Sequence, residues 1–128
     1  MRDAYLLFSH QLSDAQKREL TQTWGVKEYI HLPKELQTIW SNISPDLENL
    51  GEMLEPIKFF LASHSKKGDI ALIQGDFGAV YTMVNFAKSL ELVAIYATTK
   101  RDVIEEMIDG KSVKKSIFEH RRFREYGK

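Results

Sequence analysis

Four short apolar runs divide the chain at similar intervals. They are residues 4–9, 28–32, 70–74 and 92–97, and three of the four are almost entirely hydrophobic. A continuous apolar run of this length is typical of a strand that is covered on both faces, as in a parallel sheet. The pattern therefore predicts four parallel strands.

Helical patterns separate these runs. Ser13 is a suitable N-cap for a first helix, which we expect to end at Gly25. Residues 34–41 fit a short second helix, and the apolar positions of residues 46–64 recur at steps of three and four, as on one face of a longer helix. Pro56 falls inside that pattern and predicts a kink or break there. A fourth helix follows the third strand, so strands and helices alternate.

The last part of the chain has a different pattern. Residues 103–108 and 111–118 flank Asp109-Gly110, a dipeptide that closes β-hairpins because it accepts positive φ. The expected fold is one Rossmann-like α/β domain over residues 1–128, with a mostly parallel sheet, flanking helices and a C-terminal β-hairpin. The hairpin could leave an exposed sheet edge or pair with a second subunit, and the sequence leaves both open.

The composition limits the classes of protein to which this chain could belong. The 128 residues are 43% hydrophobic and include no cysteine, which fits one packed domain and excludes disulfides, thiol nucleophiles and thiolate metal sites. No apolar run is long enough for a membrane span or a signal peptide, so we expect a cytoplasmic protein without membrane contact. Lys and Arg total 18, equal to Asp and Glu, although residues 100–128 carry a basic excess of three. This balance is too mild for a protein that coats DNA.

Polar residues follow each predicted strand, and the carboxyl ends of parallel strands are where open α/β sheets bind ligands. The segments concerned are Ser9-His10-Gln11, His31, Gln74-Gly75-Asp76 and Thr98-Thr99-Lys100-Arg101. They either form one functional pocket or are ordinary solvated loops.

Some of these segments have the chemistry for phosphate binding. Gly75-Asp76-Phe77-Gly78 lies at a strand-to-helix turn, where free backbone N–H groups could hold an anion, although Asp76 could equally be a plain N-cap. Thr98 to Arg101 combines two hydroxyls with two cations, which suits phosphodiester contacts. His120 and Arg122 lie among aromatic residues and could contact a base and a phosphate, or belong to a solvated basic terminus.

Other site chemistries are disfavoured. The four histidines have no short helical spacing to each other or to a set of carboxylates, so we expect no metal and no cofactor. Ser9 and His10 are adjacent and would point to opposite faces of a strand, and no G-x-S-x-G turn surrounds them. A serine hydrolase is therefore not expected.

Five segments in combination resemble the small type III CRISPR-associated family designated Csx-twenty. They are Leu7 to His10, Ile39 to Pro45, Ile73 to Ala79, Tyr96 to Arg101 and Phe118 to Phe123. The resemblance implies a stand-alone relative of the CRISPR-associated Rossmann-fold (CARF) domains, which bind cyclic oligoadenylates made when a type III complex meets foreign RNA. Some of these domains are ring nucleases, which cleave the ring and switch the signal off.

The resemblance thus implies a ring nuclease in antiviral defence, with cyclic tetra-adenylate as the expected ligand. Such a phosphodiesterase needs no metal, because a ribose 2′-OH of the RNA attacks the adjacent phosphorus. Placement in the predicted fold gives the catalytic candidates Ser9, His10, Thr99, Lys100 and Arg101. The ligand-binding candidates are Gln11, Gln74, Gly75, Asp76, Phe77, Thr98, His120 and Arg122.

The ring symmetry of the ligand also predicts a homodimer that offers the same loops twice. Two alternatives remain open on the sequence. One is a binding module that sequesters the cyclic oligoadenylate without cleaving it, and the other is a structural domain whose hairpin docks onto another CRISPR component.

Overall fold

The computed structural model describes residues 1–128 as five strands and four helices. The strands are β1 (Arg2–Leu7), β2 (Val26–His31), β3 (Ile70–Ile73), β4 (Val93–Ile108) and β5 (Lys111–Glu125). The helices are α1 (Asp14–Gln22), α2 (Lys34–Ser41), α3 (Gly51–His64) and α4 (Phe77–Ser89).

All five strands form one sheet in the order β2-β1-β3-β4-β5. The first four strands are parallel, and β5 is antiparallel to β4. The predicted α/β class, the four parallel strands and the C-terminal hairpin are therefore confirmed.

Helices cover both faces of the central strands, as their continuous apolar sequences predict. On one face, Leu7 packs with residues of α2, α3 and α4, including Met83; we call this the α4 face. On the other, Leu6 packs with Leu20 of α1 and Phe123 of β5; we call this the α1 face. Alternate residues of a strand therefore serve two separate cores, and adjacent residues of β4 also point to opposite faces.

The first helix begins where the sequence predicts it. Ser13 Oγ accepts a hydrogen bond from the Gln16 N–H at 3.2 Å, and Gln16 Oε1 accepts one from the Ser13 N–H at 2.9 Å. This reciprocal pair satisfies backbone donors that the start of a helix otherwise leaves free. The chain leaves α1 through Gly25, whose φ of +68° favours glycine.

The third helix differs from its prediction at two points. It begins at Gly51 rather than at residue 46, and it runs through Pro56 without interruption. Its fully buried side chains pack against the sheet and are Leu54, Ile57 and Leu61. Burial of this face outweighs the one backbone hydrogen bond that proline cannot donate, so the predicted break is wrong.

The largest departure from prediction is the length of the hairpin. Residues 98–101 are predicted as a loop, but they lie inside β4, which pairs with β5 as far as the Asp109-Gly110 turn. Thr98 Oγ1 donates a hydrogen bond to Arg122 O at 2.8 Å across the two strands. The loop prediction is wrong because β5 supplies backbone partners that the local polar sequence does not reveal.

The far part of this hairpin has no third strand beside it. β3 pairs with β4 only along Val93–Ile95, so residues 98–120 project past the carboxyl end of β3. At about 3.3 Å per residue this projection is about 35 Å long. We call residues 98–120 the hairpin arm.

Candidate functional site

The carboxyl ends of β1 and β3 meet where the order of strands reverses. From β1 the chain passes to β2 at one side and later returns to β3 at the other, and such a switch point is where open sheets bind ligands. Leu7 O accepts a hydrogen bond from the Gln74 N–H at 3.0 Å, which fixes the two strand ends to each other. Residues after both ends therefore form one polar edge of the sheet.

Trp40 holds α2 against this edge. Its Nε1 donates a hydrogen bond to Gln74 O at 3.0 Å, and the ring is almost fully buried. A Cβ on Gly75 would lie 3.2 Å from Trp40 Nε1, so any side chain at this position would crowd the indole. Gly75 thus allows the chain to pass close to Trp40, and the two residues form the floor of the candidate site.

Gln74 extends the sheet. Its Oε1 accepts a hydrogen bond at 2.7 Å from the Ala97 N–H, a donor that β4 directs toward β3. The side chain thereby takes the place of one more β3 residue. A ligand-binding role for Gln74 would rest on its amide nitrogen, which can still donate.

An aromatic recess opens beside this floor on the α4 face. Its volume is about 360 Å³, and it is lined by Gln74, Gly75, Phe77, Val80, Tyr96 and Tyr126. The Phe77 ring is 94% exposed, and the ring centres of Tyr96 and Tyr126 are 4.6 Å apart. We call this cavity the aromatic recess. Exposed aromatic faces of this kind stack on nucleobases.

Two polar groups of the recess have defined roles. The Tyr126 hydroxyl donates to Ile73 O at 2.6 Å, and burial, followed by the neighbouring Tyr96, raises the pKa of Tyr126. The hydroxyl therefore stays protonated. The Arg124 guanidinium lies 5.1 Å from the centre of the Tyr96 ring and donates to the Tyr96 hydroxyl. One ring of the recess is therefore in contact with a cation.

Asp76 caps α4. Its Oδ2 accepts a hydrogen bond from the Ala79 N–H at 3.0 Å, as the plain N-cap interpretation expects. The carboxylate occupies the position that a bound phosphate would take at this helix end. Anion binding at this turn would have to displace Asp76, so the geometry favours a structural role for its side chain.

Residues 9–11, which follow β1, do not face one common site. Ser9 Oγ lies 3.0 Å from Ser41 Oγ, which also accepts a hydrogen bond from Gln37 Nε2 at 2.9 Å. The exposed His10 ring packs edge-on against Phe8, with ring centres 5.4 Å apart. Gln11 lines a separate cavity of about 340 Å³ near the end of β2, whose other lining residues are Leu12, Lys17, Tyr29 and His31. Ser9 and His10 are thus free of any mutual hydrogen bond.

The hairpin arm separates residues that the sequence groups together. Thr98 and Lys100 share the face of Tyr96, which lines the aromatic recess, whereas Thr99 pairs with His120 on the α1 face. Lys100 Nζ lies 3.9 Å from Asp102, and both side chains are about half exposed. Arg101, also on the α1 face, donates to Ser116 Oγ at 3.1 Å and lies over the Phe118 ring. One ligand on the α4 face could meet Thr98 and Lys100 but not Thr99 and Arg101.

His120 is fixed to α1. Its Nε2 lies 2.7 Å from Glu19 Oε1, and Glu19 Oε2 accepts hydrogen bonds from the Phe123 N–H at 2.7 Å and Trp24 Nε1 at 3.0 Å. Burial alone would raise the pKa of Glu19, but these hydrogen bonds and His120 outweigh it and lower that pKa. Glu19 therefore stays ionised and ties β5 to α1, a contact that the sequence analysis did not anticipate.

A second group of cations surrounds this contact. Arg122 joins Arg18 and Arg121 in lining a groove of about 430 Å³ between α1 and β5. The groove lies on the α1 face, away from the aromatic recess. The predicted ligand-binding residues His120 and Arg122 are therefore in a different place from Gly75 and Phe77.

Two further features bear on function. No three His, Cys, Asp or Glu side chains come together as a metal-binding group. None of the four helices has the length and apolarity that would let it cross a membrane.

Comparison with known proteins identifies relatives by sequence alone. No solved structure matches the chain. The protein described as "Uncharacterized protein MJ1673", from Methanocaldococcus jannaschii, is 50% identical over 126 residues, covering 98% of each chain. The model of the family described as "Uncharacterized protein MJ1673 family" matches residues 2–124, which include the whole sheet apart from the last residue of β5. The chain therefore belongs to the MJ1673 family.

Proposed function

We propose that this protein binds a cyclic oligoadenylate at the carboxyl-terminal edge of its sheet and cleaves it as a metal-independent ring nuclease. The observation that carries the proposal is the aromatic recess, where the exposed Phe77 lies near Tyr96 and Tyr126. Arg124 contacts Tyr96, and Lys100 lies on the same face of β4, four residues beyond Tyr96. Adenines need aromatic faces, and phosphodiesters need cations. A cytoplasmic location follows, because such messengers are made inside the cell.

The fold is in keeping with this proposal. Four parallel strands in the order β2-β1-β3-β4, with helices on both faces, follow the flavodoxin-like order of doubly wound sheets, whose switch point lies between the first and third strands. We therefore propose that the domain is Rossmann-like and, with the resemblance of its motifs, CARF-like. The resemblance of its motifs to the Csx-twenty family supplies the identity of the ligand.

The proposed binding contacts use the α4 face. The Phe77 ring stacks on an adenine, and Lys100 and Arg124 contact phosphates of the ring. Thr98, on the same face, hydrogen-bonds the ribose or the phosphate. Thr99 and Arg101 receive no role in this recess, because they belong to the α1 face of the arm.

The proposed reaction is an in-line displacement at phosphorus. A ribose 2′-oxygen forms a bond to the adjacent phosphorus while the bond from phosphorus to the 5′-oxygen breaks. The 2′-OH proton passes to the exposed His10, and the departing 5′-oxygen takes up a proton from a solvent water molecule. The products are linear oligoadenylates with a 2′,3′-cyclic phosphate. Lys100 offsets the charge that develops on the phosphate oxygens, and Ser9 orients the 2′-OH.

A binding titration with matched variants tests the site. Cyclic tri-, tetra- and hexa-adenylate are titrated into the wild type, F77A and F59A, since Phe59 is a similarly exposed ring on α3. We expect F77A to weaken binding at least tenfold and F59A to leave it unchanged. Equal affinities for the two variants would show that the recess is not the site, and no binding by the wild type would refute the function.

Product analysis distinguishes cleavage from sequestration. The bound ring is incubated with and without EDTA, and the nucleotides are separated by mass. We expect the same 2′,3′-cyclic phosphate products in both samples. If the ring is bound tightly but is still intact after hours, the protein is not a nuclease and instead sequesters the cyclic oligoadenylate.

A further inference from the structure

The hairpin arm leaves one edge of β4 without a partner strand. The N–H groups of Val93 and Ala97 point toward β3, so the odd-numbered residues of β4 direct their backbone groups to that side. Beyond Ala97 no strand lies there. The N–H and C=O groups of residues 99, 101, 103, 105 and 107 are therefore free along this edge. A long exposed edge of this kind is a template for another strand.

Apolar side chains lie along the same free edge. Val103 is 58% exposed, Met107 is 72% exposed and Ile108 is 49% exposed. Proteins usually protect exposed edges with charges, short strands or bulges. This edge does carry charges, but their order along β4 favours pairing with a second copy of the chain.

The charges of the β4 edge change sign at its middle. Lys100 and Arg101 precede Val103 by three and two residues, and Glu105 and Glu106 follow it by two and three residues. We propose that two copies of this chain pair through their β4 edges as antiparallel strands, with Val103 of each copy opposite Val103 of the other.

This register brings opposite charges together on both faces of the ribbon. Lys100 falls opposite Glu106 of the partner subunit, and Arg101 falls opposite Glu105 of the partner subunit. Directly opposite residues of an antiparallel pair share a face. By symmetry the two pairs occur twice, and each residue that directs its backbone to the free edge meets another such residue.

Neighbouring registers lose these contacts. Moving the centre by one residue to Asp102 sets the two Asp102 carboxylates against each other. Moving it to Ile104 sets Asp102 against Glu106 of the partner subunit. Like charges directly opposite each other are destabilising, so the charge pattern selects the register centred on Val103.

The other edge of the arm does not offer such complementarity. Between residues 111 and 119, β5 carries Lys111, Lys114 and Lys115 but only one acid, Glu119. Pairing of two β5 edges would gather lysines, a known device against strand addition. The symmetric partner is therefore expected at β4, and the joined arms form a four-stranded antiparallel ribbon.

The pairing also has a consequence for the edge of the sheet. With Val103 at the two-fold axis, Thr98 lies opposite Ile108 of the partner subunit. The turn that follows Ile108 of the partner subunit then approaches the carboxyl end of β3.

The proposed pairing does not depend on the ligand, so its failure and the failure of the proposed function are distinguishable.

A single-cysteine experiment tests the register directly, because the chain contains no cysteine. In the proposed pair the two Val103 Cα atoms lie about 5.5 Å apart, within the range that a disulfide spans. The matched control is S116C, because Ser116 pairs with Val103 on the same face but belongs to the β5 edge. Under mild oxidation at micromolar concentration, we expect V103C to form a covalent dimer and S116C to remain monomeric. No cross-link in V103C, or equal cross-linking of both variants, would overturn the proposal.

Charge exchange tests the ion pairs by light scattering. We expect the wild type to be a dimer, and E105K/E106K to have a dissociation constant at least tenfold higher. The fourfold variant K100E/R101E/E105K/E106K should recover the dimer, because the exchanged charges are again complementary. A monomeric wild type, or a fourfold variant no more dimeric than E105K/E106K, would overturn the register. Circular dichroism checks that each variant is folded, and V103C provides the test if one is not.

Discussion

Replacement of Glu19 by alanine should destabilise the fold strongly, because one carboxylate holds three parts of the chain together. It accepts hydrogen bonds from His120, the Phe123 N–H and Trp24, and its side chain is only 17% exposed. Hydrogen bonds to a charged group are worth about 1.5–3 kcal/mol each. The three are not additive, and some water can reach the site. We therefore expect E19A to lower the free energy of unfolding by about 3–4 kcal/mol.

Urea denaturation followed by circular dichroism measures this loss of stability. Repeating the measurement at several pH values distinguishes the contribution of the Glu19 charge from that of side-chain packing. Burial raises the pKa of Glu19, but its hydrogen bonds lower the pKa by a larger amount. The net pKa therefore lies below the ordinary 4.5. The stabilisation by the Glu19 charge is therefore complete above pH 4.5 and is lost as the pH falls through the lower pKa of the folded state. E19Q cannot titrate, so its difference from the wild type should shrink in acid.

The matched control is E28Q on the exposed face of β2, which should change stability by less than about 0.5 kcal/mol. The reasoning would be refuted if E19A cost no more than E28Q. It would also be refuted if the difference between the wild type and E19Q were independent of pH from 7 to 3.

Three further outcomes are expected. S13A removes one half of the capping box and should lower the free energy of unfolding by about 1 kcal/mol in urea; no loss would mean that the α1 cap is replaced by water. W40F removes the hydrogen bond to Gln74 O and should cost about 1–2 kcal/mol in thermal denaturation, and an unchanged midpoint would contradict its role in the floor. K100A should weaken cyclic tetra-adenylate binding and reduce its salt dependence, whereas an unchanged salt slope would remove Lys100 from the phosphate contacts.

The sheet was predictable because its strands carry a local signal. β3 and residues 4–7 of β1 are buried on both faces, so these segments are continuously apolar. Asp109-Gly110 marks the hairpin turn by its own backbone preference. These features depend on neighbouring residues only. The start of α1 was predictable for the same reason, since Ser13 and Gln16 cap it from within one turn.

The continuation of β4 was not predictable in this way. Residues 98–101 are polar and follow an apolar strand, which is the usual pattern of a loop after a parallel strand. They are extended because residues of β5 that lie 17 to 24 positions later in the chain pair with them. The consequence for the site is large, because a loop could gather all four side chains around one ligand, whereas a strand sends alternate ones to opposite faces.

The polar contacts of the site depend on still longer separations. Glu19 and His120 are 101 residues apart, and the Tyr126 hydroxyl meets Ile73 O across 53 residues. No spacing rule connects such residues in a single sequence. The aromatic recess therefore emerges only from the fold, although Phe77 could be selected from its position after β3.

Incubation of cyclic tetra-adenylate with excess protein in the presence of EDTA, followed by mass analysis over a single turnover, tests the proposed ring cleavage most directly. We predict that the ring is converted to linear adenylates ending in a 2′,3′-cyclic phosphate, and that H10A slows this conversion while changing the dissociation constant by less than about twofold. Recovery of the intact ring from wild-type protein that has been shown to bind it would contradict the nuclease, and absence of binding would contradict the whole functional proposal.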